Sequence, residues 1–135
     1  MTSDVKKVDG GVLIVDDDEL IRETLCELVE MVGCSALVAA NGREALKVMT
    51  EHRPCLVIVD LLMPVMTGNE LLEVMRNEPT LADVPVVVST SAPERAPAGV
   101  PIIRKPVNIE VVVEWMQRTC RCAAALPADQ QDESP

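Results

Sequence analysis

Acidic residues follow two of the most apolar runs in the sequence. Asp16, Asp17 and Asp18 come directly after the run at residues 12–15, and Asp60 comes directly after the run at residues 56–59. Carboxylates that crowd together cannot all stay ionised without a counter-charge. Carboxylate oxygen is also a ligand suited to Mg²⁺. If the two runs form neighbouring strands, the spacing predicts a divalent-cation site where they end.

Two further apolar runs end in groups that can bind an anion. Ser89, Thr90 and Ser91 follow one run, and Lys105 follows the last one. A hydroxyl can donate to an anion, and a lysine supplies a point charge. Acids for a metal, a cation and a hydroxyl together suit phosphoryl chemistry, in which an aspartate can act as the nucleophile.

Taken singly, each of these residues also has a plain structural interpretation. Residues 16–18 could simply begin a helix, and Asp60 could form a turn. Thr90 could cap a loop, and Lys105 could be a solvated surface side chain. Ligands of an open parallel sheet bind outside the carboxyl ends of its strands. The joint placement of these groups at four strand ends therefore favours a functional site.

The elements that must position these groups alternate along the chain. The apolar runs at residues 12–15, 35–39, 56–59, 86–88 and 102–103 are largely continuous, which is typical of strands buried on both faces of a parallel sheet. Between them lie segments with apolar residues at helical spacing, and a last helix is predicted from about residue 108. The order predicts an α/β fold, a doubly wound five-stranded parallel sheet.

Composition limits the class of protein. The 135 residues suffice for one domain, and a net charge of −10 with one Trp and no Tyr or Phe argues against nucleic-acid binding. We find no membrane span and no signal peptide, so we expect a cytoplasmic protein. The five cysteines are predicted to be unpaired reduced thiols without a zinc site.

The motifs VLIVDDDELIRETL, LVIVDLLMPVMTGNELL, VVVSTSA and IIRKP resemble the receiver domain of bacterial two-component response regulators. The resemblance covers residues 11–125 and implies the flavodoxin-like strand order 2-1-3-4-5. It implies that Asp60 is the phosphoacceptor and that Mg²⁺ is bound by Asp16, Asp17, Asp60 and the backbone carbonyl of Leu62. It also implies that Thr90 and Lys105 contact the phosphoryl group. Asp18 lies beyond the motif and keeps its interpretation as a helix cap.

The sequence departs from the family pattern at three places. Only residues 91–104 separate Thr90 from Lys105, and prolines and a glycine interrupt them, so helix 4 is predicted to be missing or reduced to a single turn. Ile102 occupies the position where many members carry the aromatic ring of the switch. Leu62 and Ala92 occupy positions where polar side chains of similar proteins place the hydrolytic water, so we expect phospho-Asp60 to decay slowly.

The resemblance implies a phosphoacceptor of a two-component phosphorelay rather than an enzyme. A histidine kinase or phosphotransfer protein would donate the phosphoryl group to Asp60, and output would be protein–protein interaction. We expect a stand-alone receiver, monomeric or weakly dimeric, with an N-terminal extension (1–10), a receiver domain (11–126) and a disordered acidic tail (127–135). The alternative is a divergent receiver that acts as an interaction module without phosphorylation. A phosphatase of the haloacid dehalogenase kind would need D-x-D, and Leu62 replaces its second acid.

Overall fold

Strands and helices alternate along residues 8–123, which are the residues that the computed structural model describes. The elements are β1 (Val8–Asp9), β2 (Val12–Val15), α1 (Glu19–Val32), β3 (Ala36–Ala39), α2 (Gly42–Glu51), β4 (His52–Arg53), β5 (Leu56–Val59), α3 (Gly68–Arg76), β6 (Val86–Thr90), a 3₁₀ turn (Pro93–Arg95), β7 (Ile102–Arg104) and α4 (Ile109–Thr119). The tail predicted at residues 127–135, and most of the extension predicted at residues 1–10, lie outside the described residues.

Five of the strands form one parallel sheet in the order β3-β2-β5-β6-β7. Counted in chain order within this sheet, the order is 2-1-3-4-5, so the predicted flavodoxin-like topology is confirmed. Val15 pairs with Ala39 on one side and with Val59 on the other. This register brings the carboxyl ends of β2 and β5 to the same level, and the residues that follow them become neighbours.

A second, two-stranded sheet was not predicted. β1 pairs with β4 in parallel, Val8 opposite His52. Its strands have two residues each, which is too short for hydrophobic periodicity to be visible in the sequence.

The sheet separates two apolar layers. Alternate residues of the central strands point to opposite faces, and for this reason Ile14 and Ile58 pack with α1 and α4, whereas Val15 and Val59 pack with α2 and α3. β2 and β5 are buried at every residue. The continuous apolar runs of the sequence are thus explained by burial on both faces.

The segment between β6 and β7 contains one short turn in place of a multi-turn helix. The three residues Pro93–Arg95 form a 3₁₀ turn. This confirms the predicted reduction of the family's fourth helix, which would precede the helix labelled α4 here. The Nδ2 of Asn69 on α3 donates to the carbonyl oxygen of Arg95 at 3.2 Å. This contact ties the turn to the neighbouring helix.

The prediction that the cysteines are unpaired was wrong for four of the five. Cys34 is bonded to Cys122 and Cys55 to Cys120, and only Cys26 is free. The pairs are 88 and 65 residues apart in sequence. They meet because the C-terminal turn of α4 returns to the amino edge of the sheet, and local sequence pattern cannot show such a meeting.

None of the helices in the described residues is both long and apolar enough to cross a membrane.

Candidate functional site

The turn from β2 into α1 gives three consecutive aspartates three different environments. Asp16 is buried, and its Oδ1 accepts from the backbone N–H of Asp18 at 2.9 Å. Asp17 is exposed. Asp18 is the N-cap of α1 and accepts from the backbone N–H groups of Leu20 and Ile21. This geometry confirms the capping interpretation of Asp18 and leaves Asp16 and Asp17 available to the site.

Asp60 lies beside Asp16 at the end of β5. Its backbone N–H donates to the carbonyl oxygen of Val15 at 2.9 Å, so the residue continues the pairing of the two strands. The side chain is only 11% exposed. Its backbone lies against the N-terminus of α3, where a Cβ on Gly68 would overlap the Asp60 carbonyl oxygen. The backbone of Asp60, the predicted phosphoacceptor, is therefore held by both the sheet and a helix.

The loop between Asp60 and α3 contains an unusual backbone conformation. Val65 has a φ of 67°, and the N–H of Met66 donates to the carbonyl oxygen of Pro64 at 2.7 Å. The bond encloses a three-residue turn, and a positive φ is costly for a β-branched residue. The loop then ends at Thr67, which caps α3 in a capping box with Glu70.

Lys105 joins the two buried carboxylates. Its Nζ lies 3.0 Å from Oδ2 of Asp16 and 3.7 Å from Oδ1 of Asp60. The backbone N–H of Lys105 donates to the carbonyl oxygen of Thr90 at 3.0 Å. The lysine is thus anchored to β6, and its charge is shared between the acids that end β2 and β5.

Burial raises the pKa of Asp60 above its ordinary value. The charge of Lys105 opposes this shift, and the charge of Asp16 adds to it. Backbone N–H groups of Leu61 and Leu62 also favour the ionised form, with a smaller effect. Its neighbours therefore do not fully stabilise the ionised form of Asp60, and a bound cation would supply further positive charge.

The residues present fit a magnesium ion. Asp16, Asp17 and Asp60 each offer a carboxylate oxygen, and the three oxygens lie within 4.8 Å of one another. In the part of the chain that the structure describes, Lys105 is the only cation that forms an ion pair with any of these three carboxylates. Hard oxygen ligands and excess negative charge are the properties that Mg²⁺ requires.

The other predicted residues lie on β6, on β7 and in the loop after β5. Thr90 is 1% exposed at the end of β6, and its Oγ1 accepts from the backbone N–H of Ala92 at 2.9 Å. Leu62, in the loop that begins at Asp60, has a half-exposed side chain. Ile102 is the first residue of β7, which ends directly before Lys105, and it is 38% exposed. An isoleucine has no polar atom that could exchange hydrogen-bond partners, so it cannot reproduce that part of an aromatic switch.

Two supporting residues were missed by sequence reasoning. Arg22 donates from Nη1 to the carbonyl oxygen of Asp16 at 2.8 Å, and Gly68 permits the close approach of α3 described above. The arginine lies six residues from its partner, on the helix that begins after the aspartates. Its position on the polar face of α1 was the only available indication. The glycine was visible only as part of the family motif.

Comparisons with known proteins agree with this geometry. The family described as "Response regulator receiver domain" matches residues 12–114. The polar-differentiation response regulator DivK of Brucella anthropi is 33% identical over 81 residues, which cover 60% of this chain and 66% of DivK. The probable transcriptional regulator ycf27 of Cyanidium caldarium is 38% identical over 79 residues, which cover 58% of this chain and 30% of that protein. The matches thus span less than two thirds of these relatives.

Solved structures show the same fold. The chemotaxis response regulator CheY4 of Vibrio cholerae is 29% identical with a TM-score of 0.72, covering 84% of this chain and 99% of CheY4. A receiver domain of a histidine kinase from Syntrophus aciditrophicus has 29% identity and a TM-score of 0.73, covering 88% and 98% of the two chains. With the family match extending over most of the described residues, the chain belongs to the response regulator receiver domain family.

Proposed function

We propose that this receiver accepts a phosphoryl group on Asp60 from a phosphohistidine of a histidine kinase or phosphotransfer protein. The observation that carries the proposal is the convergence of Asp60, Asp16 and Lys105 within ion-pair distance at the carboxyl edge of the sheet. Asp60 is the carboxylate at the start of the loop that leads into α3, which gives a phosphoryl group access from outside the strand ends.

The chemistry is a transfer of phosphorus from nitrogen to oxygen. A carboxylate oxygen of Asp60 attacks phosphorus, the phosphorus–nitrogen bond to the donor imidazole breaks, and the imidazole keeps the bonding electron pair. Lys105 lies close enough to Asp60 to balance charge on the transferred group. Because Thr90 Oγ1 accepts from Ala92, its own hydrogen can donate to a phosphoryl oxygen.

A magnesium ion completes the proposal. Asp16, Asp17, Asp60 and the backbone carbonyl of Leu62 would hold it, and when bound it would neutralise charge on the phosphoryl oxygens. Lys105 pairs more closely with Asp16 than with Asp60. If Asp16 held such an ion, the amine of Lys105 would be free to contact the phosphoryl group.

An apolar groove beside the site supports docking of the donor protein. The groove measures about 540 Å³ and runs between α1 and the chain after β7, with Leu20, Ile21 and Pro106 among its lining residues and Lys105 at its end. Leu20 is 70% exposed, and a large apolar patch next to a reactive group is typical of an interaction surface. A donor that covers the groove could bring its phosphohistidine to Asp60.

The phosphoacceptor proposal is tested by incubating the protein with acetyl phosphate and Mg²⁺ and measuring its intact mass. We expect a gain of one phosphoryl group in the wild type and none in Asp60→Asn. No gain in the wild type would favour the alternative, an interaction module that works without phosphorylation. An undiminished gain in Asp60→Asn would show that another residue is modified.

The docking surface is tested separately with Leu20→Asp. The variant should be phosphorylated by acetyl phosphate at the wild-type rate, because the small donor does not need the groove. It should accept phosphate more slowly from any kinase or phosphotransfer protein that phosphorylates the wild type. Equal rates from such a protein donor would exclude the groove as its docking surface.

The lifetime of the phosphorylated form stays a prediction. The side chains of Leu62 and Ala92 carry no polar atom that could position a hydrolytic water, and Leu62 is exposed beside the acceptor. We therefore expect slow loss of phosphate from Asp60 in the presence of Mg²⁺. Leu62→Asn should shorten the lifetime, and an unchanged rate of loss in that variant would contradict the argument.

A further inference from the structure

Four cysteines gather at the edge of the sheet opposite the acidic site. Cys34 follows the C-cap of α1, Cys55 directly precedes β5, and Cys120 and Cys122 belong to the turn after α4. The Cα atoms are 5.1 Å apart in both bonded pairs, Cys34–Cys122 and Cys55–Cys120. That separation lies inside the range that disulfide bonds require. The two bonds therefore connect α4 to α1 and to the central strand β5.

Backbone contacts independently place the turn after α4 against these elements. Gly33, the C-cap of α1, has a φ of 108°, and a Cβ built on it would lie 2.9 Å from the carbonyl oxygen of Cys122. The N–H of Cys34 donates to Val29 at 3.1 Å, and the N–H of Cys55 donates to Gly11 at 2.9 Å. The backbones of Cys34 and Cys55 are thus held by hydrogen bonds that do not involve the sulfurs.

Each disulfide pairs one buried cysteine with one accessible cysteine. Cys34 and Cys120 are 4% and 5% exposed. Their partners Cys122 and Cys55 both line a cavity of about 620 Å³ that opens between β4, β5 and the turn after α4. A reagent in this cavity meets one cysteine of each pair, and the buried cysteine is positioned to complete the exchange.

The same cavity carries positive charge. Arg53 and Arg121 line it together with Cys55 and Cys122. Neighbouring guanidinium groups favour the thiolate form, which is the nucleophile in thiol–disulfide exchange. They would also attract small thiols and disulfides that carry carboxylates, such as glutathione.

We propose that these four cysteines are a reversible redox site that fastens the end of α4 to the amino edge of the sheet. The oxidant is a low-molecular-weight disulfide, written RSSR. The thiolate of Cys122 attacks one sulfur of RSSR and releases one thiolate RS⁻. Cys34 then attacks the sulfur of Cys122 and releases the second RS⁻. The two protons of the protein thiols end on the two RSH products, and RSSR is reduced while the cysteine pair is oxidised.

Cys55 and Cys120 follow the same sequence, with Cys55 as the accessible residue. In the reduced state the Cys55 thiol has an acceptor, because its Sγ lies 3.3 Å from the carbonyl oxygen of Gly11. Oxidation is reversed by a dithiol that enters through the cavity. Loss of both bonds removes the covalent links from the turn at residues 120–122 to Cys34 after α1 and to Cys55 before β5.

A zinc site is the competing use of the same sulfurs. The sulfur atoms of Cys34, Cys120 and Cys122 lie within 4.8 Å of one another, but this group does not include Cys55. Structural zinc takes four ligands at about 2.3 Å from each sulfur, which places all four sulfurs in one tetrahedron. Two separate pairs match the arrangement better than a tetrathiolate does.

The test equilibrates the full chain with oxidised glutathione or with dithiothreitol, then unfolds it, alkylates free thiols and measures the mass. We expect one alkyl group after oxidation, on Cys26, and five after reduction. Because each bond closes a loop of more than 60 residues, reduction of both should lower Tm by about 15–30 °C. Peptide mapping should identify the pairs 34–122 and 55–120.

Two serine variants separate the redox site from general effects of losing a thiol. Cys122→Ser should leave Cys34 open to alkylation after oxidation and should lose part of the Tm response to dithiothreitol. Cys26→Ser is the matched control and should keep the full response. The proposal would be overturned by five alkyl groups after oxidation or by cysteine pairs other than these two. It would also be overturned by one zinc ion in the native mass, or by disulfides that resist dithiothreitol in the folded protein.

Discussion

Gly42 and Gly68 occupy the same position, the first residue of α2 and of α3, but they meet different neighbours. A Cβ on Gly42 would meet the side chain of Met66, with its nearest atom at 2.7 Å. A Cβ on Gly68 would overlap the carbonyl oxygen of Asp60 and would lie 2.8 Å from the Cα of Leu61. The two alanine substitutions are therefore a matched pair in which only the second meets backbone.

The difference in free energy of unfolding follows from what can move. Ordinary carbon contacts are about 3.5–4.0 Å, so Gly68→Ala must shift α3 or the backbone of Asp60 by at least about 0.7 Å. Overpacking of this kind costs about 1–3 kcal/mol, and the gain from replacing glycine in a helix returns less than about 1 kcal/mol. We expect Gly68→Ala to destabilise the fold by about 1–2 kcal/mol.

For Gly42→Ala the Cγ and Sδ atoms of Met66 can turn away, and only its Cβ, at 3.0 Å, must shift by a few tenths of an ångström. The cost and the gain should then cancel to within about 0.5 kcal/mol. Urea unfolding followed by circular dichroism measures both values. In the thermal transition, Gly68→Ala should lower Tm by about 4–8 °C, while Gly42→Ala should leave it nearly unchanged.

The same displacement should affect phosphorylation. A misplacement of about 1 Å at a reacting group can cost about 100-fold in rate, so Gly68→Ala should slow phosphorylation by acetyl phosphate by about 10- to 100-fold below unfolding temperatures. Gly42→Ala should react at the wild-type rate. Equal stability and equal rates for the two variants would refute the claim that α3 holds the backbone of the phosphoacceptor.

Three further predictions concern the backbone and charges around the site. Val65→Gly relieves a positive φ and should stabilise the fold by about 0.5–1 kcal/mol. Val38→Gly, at an exposed strand residue, is the control and should destabilise the fold. Urea unfolding compares the two variants, and a loss of stability in both would contradict backbone strain at Val65. Asp18→Ala removes the N-cap of α1 and should lower the free energy of unfolding by about 1 kcal/mol, whereas Asp17→Ala should lower it much less. Equal losses of stability in the two variants would contradict the capping role of Asp18. Burial raises the pKa of the Asp60 carboxyl in the folded protein, so its contribution to stability is present when the carboxyl is protonated and is lost as pH rises through the folded-state pKa. In the absence of Mg²⁺, Asp60→Asn should therefore be more stable than the wild type at about pH 7 but not at about pH 3. Denaturant midpoints at both pH values test this, and a constant difference would contradict it.

The sheet and the polar residues at its edge could be predicted because parallel strands carry their own pattern. The continuous apolar runs at Val12–Val15 and Leu56–Val59 indicate burial on both faces. Long crossovers make the strands parallel, and parallel strands bring their carboxyl ends to one edge. That Asp16 and Asp60 are neighbours depends in addition on the strand order, which the family resemblance implied and the apolar pattern alone left open. The prolines between β6 and β7 likewise indicated a shortened helix without any knowledge of its contacts.

Only the tertiary structure decided what each group touches. Lys105 lies 3.0 Å from Asp16 and 3.7 Å from Asp60, and a sequence contains no information on such a preference. The close approach of Gly68 depends on the angle at which α3 meets β5. The two-stranded sheet is too short to show a period.

The cysteines show most clearly what a local sequence pattern cannot predict. Cys26, Cys34 and Cys55 each sit singly among apolar residues, and nothing local distinguishes Cys26, which is free, from Cys34, which is bonded 88 residues away. Residue types and local periodicity thus determined the fold and the chemistry available at the carboxyl edge. Pairings between distant segments depend on how α4 packs across the finished sheet, and only the folded chain fixes them.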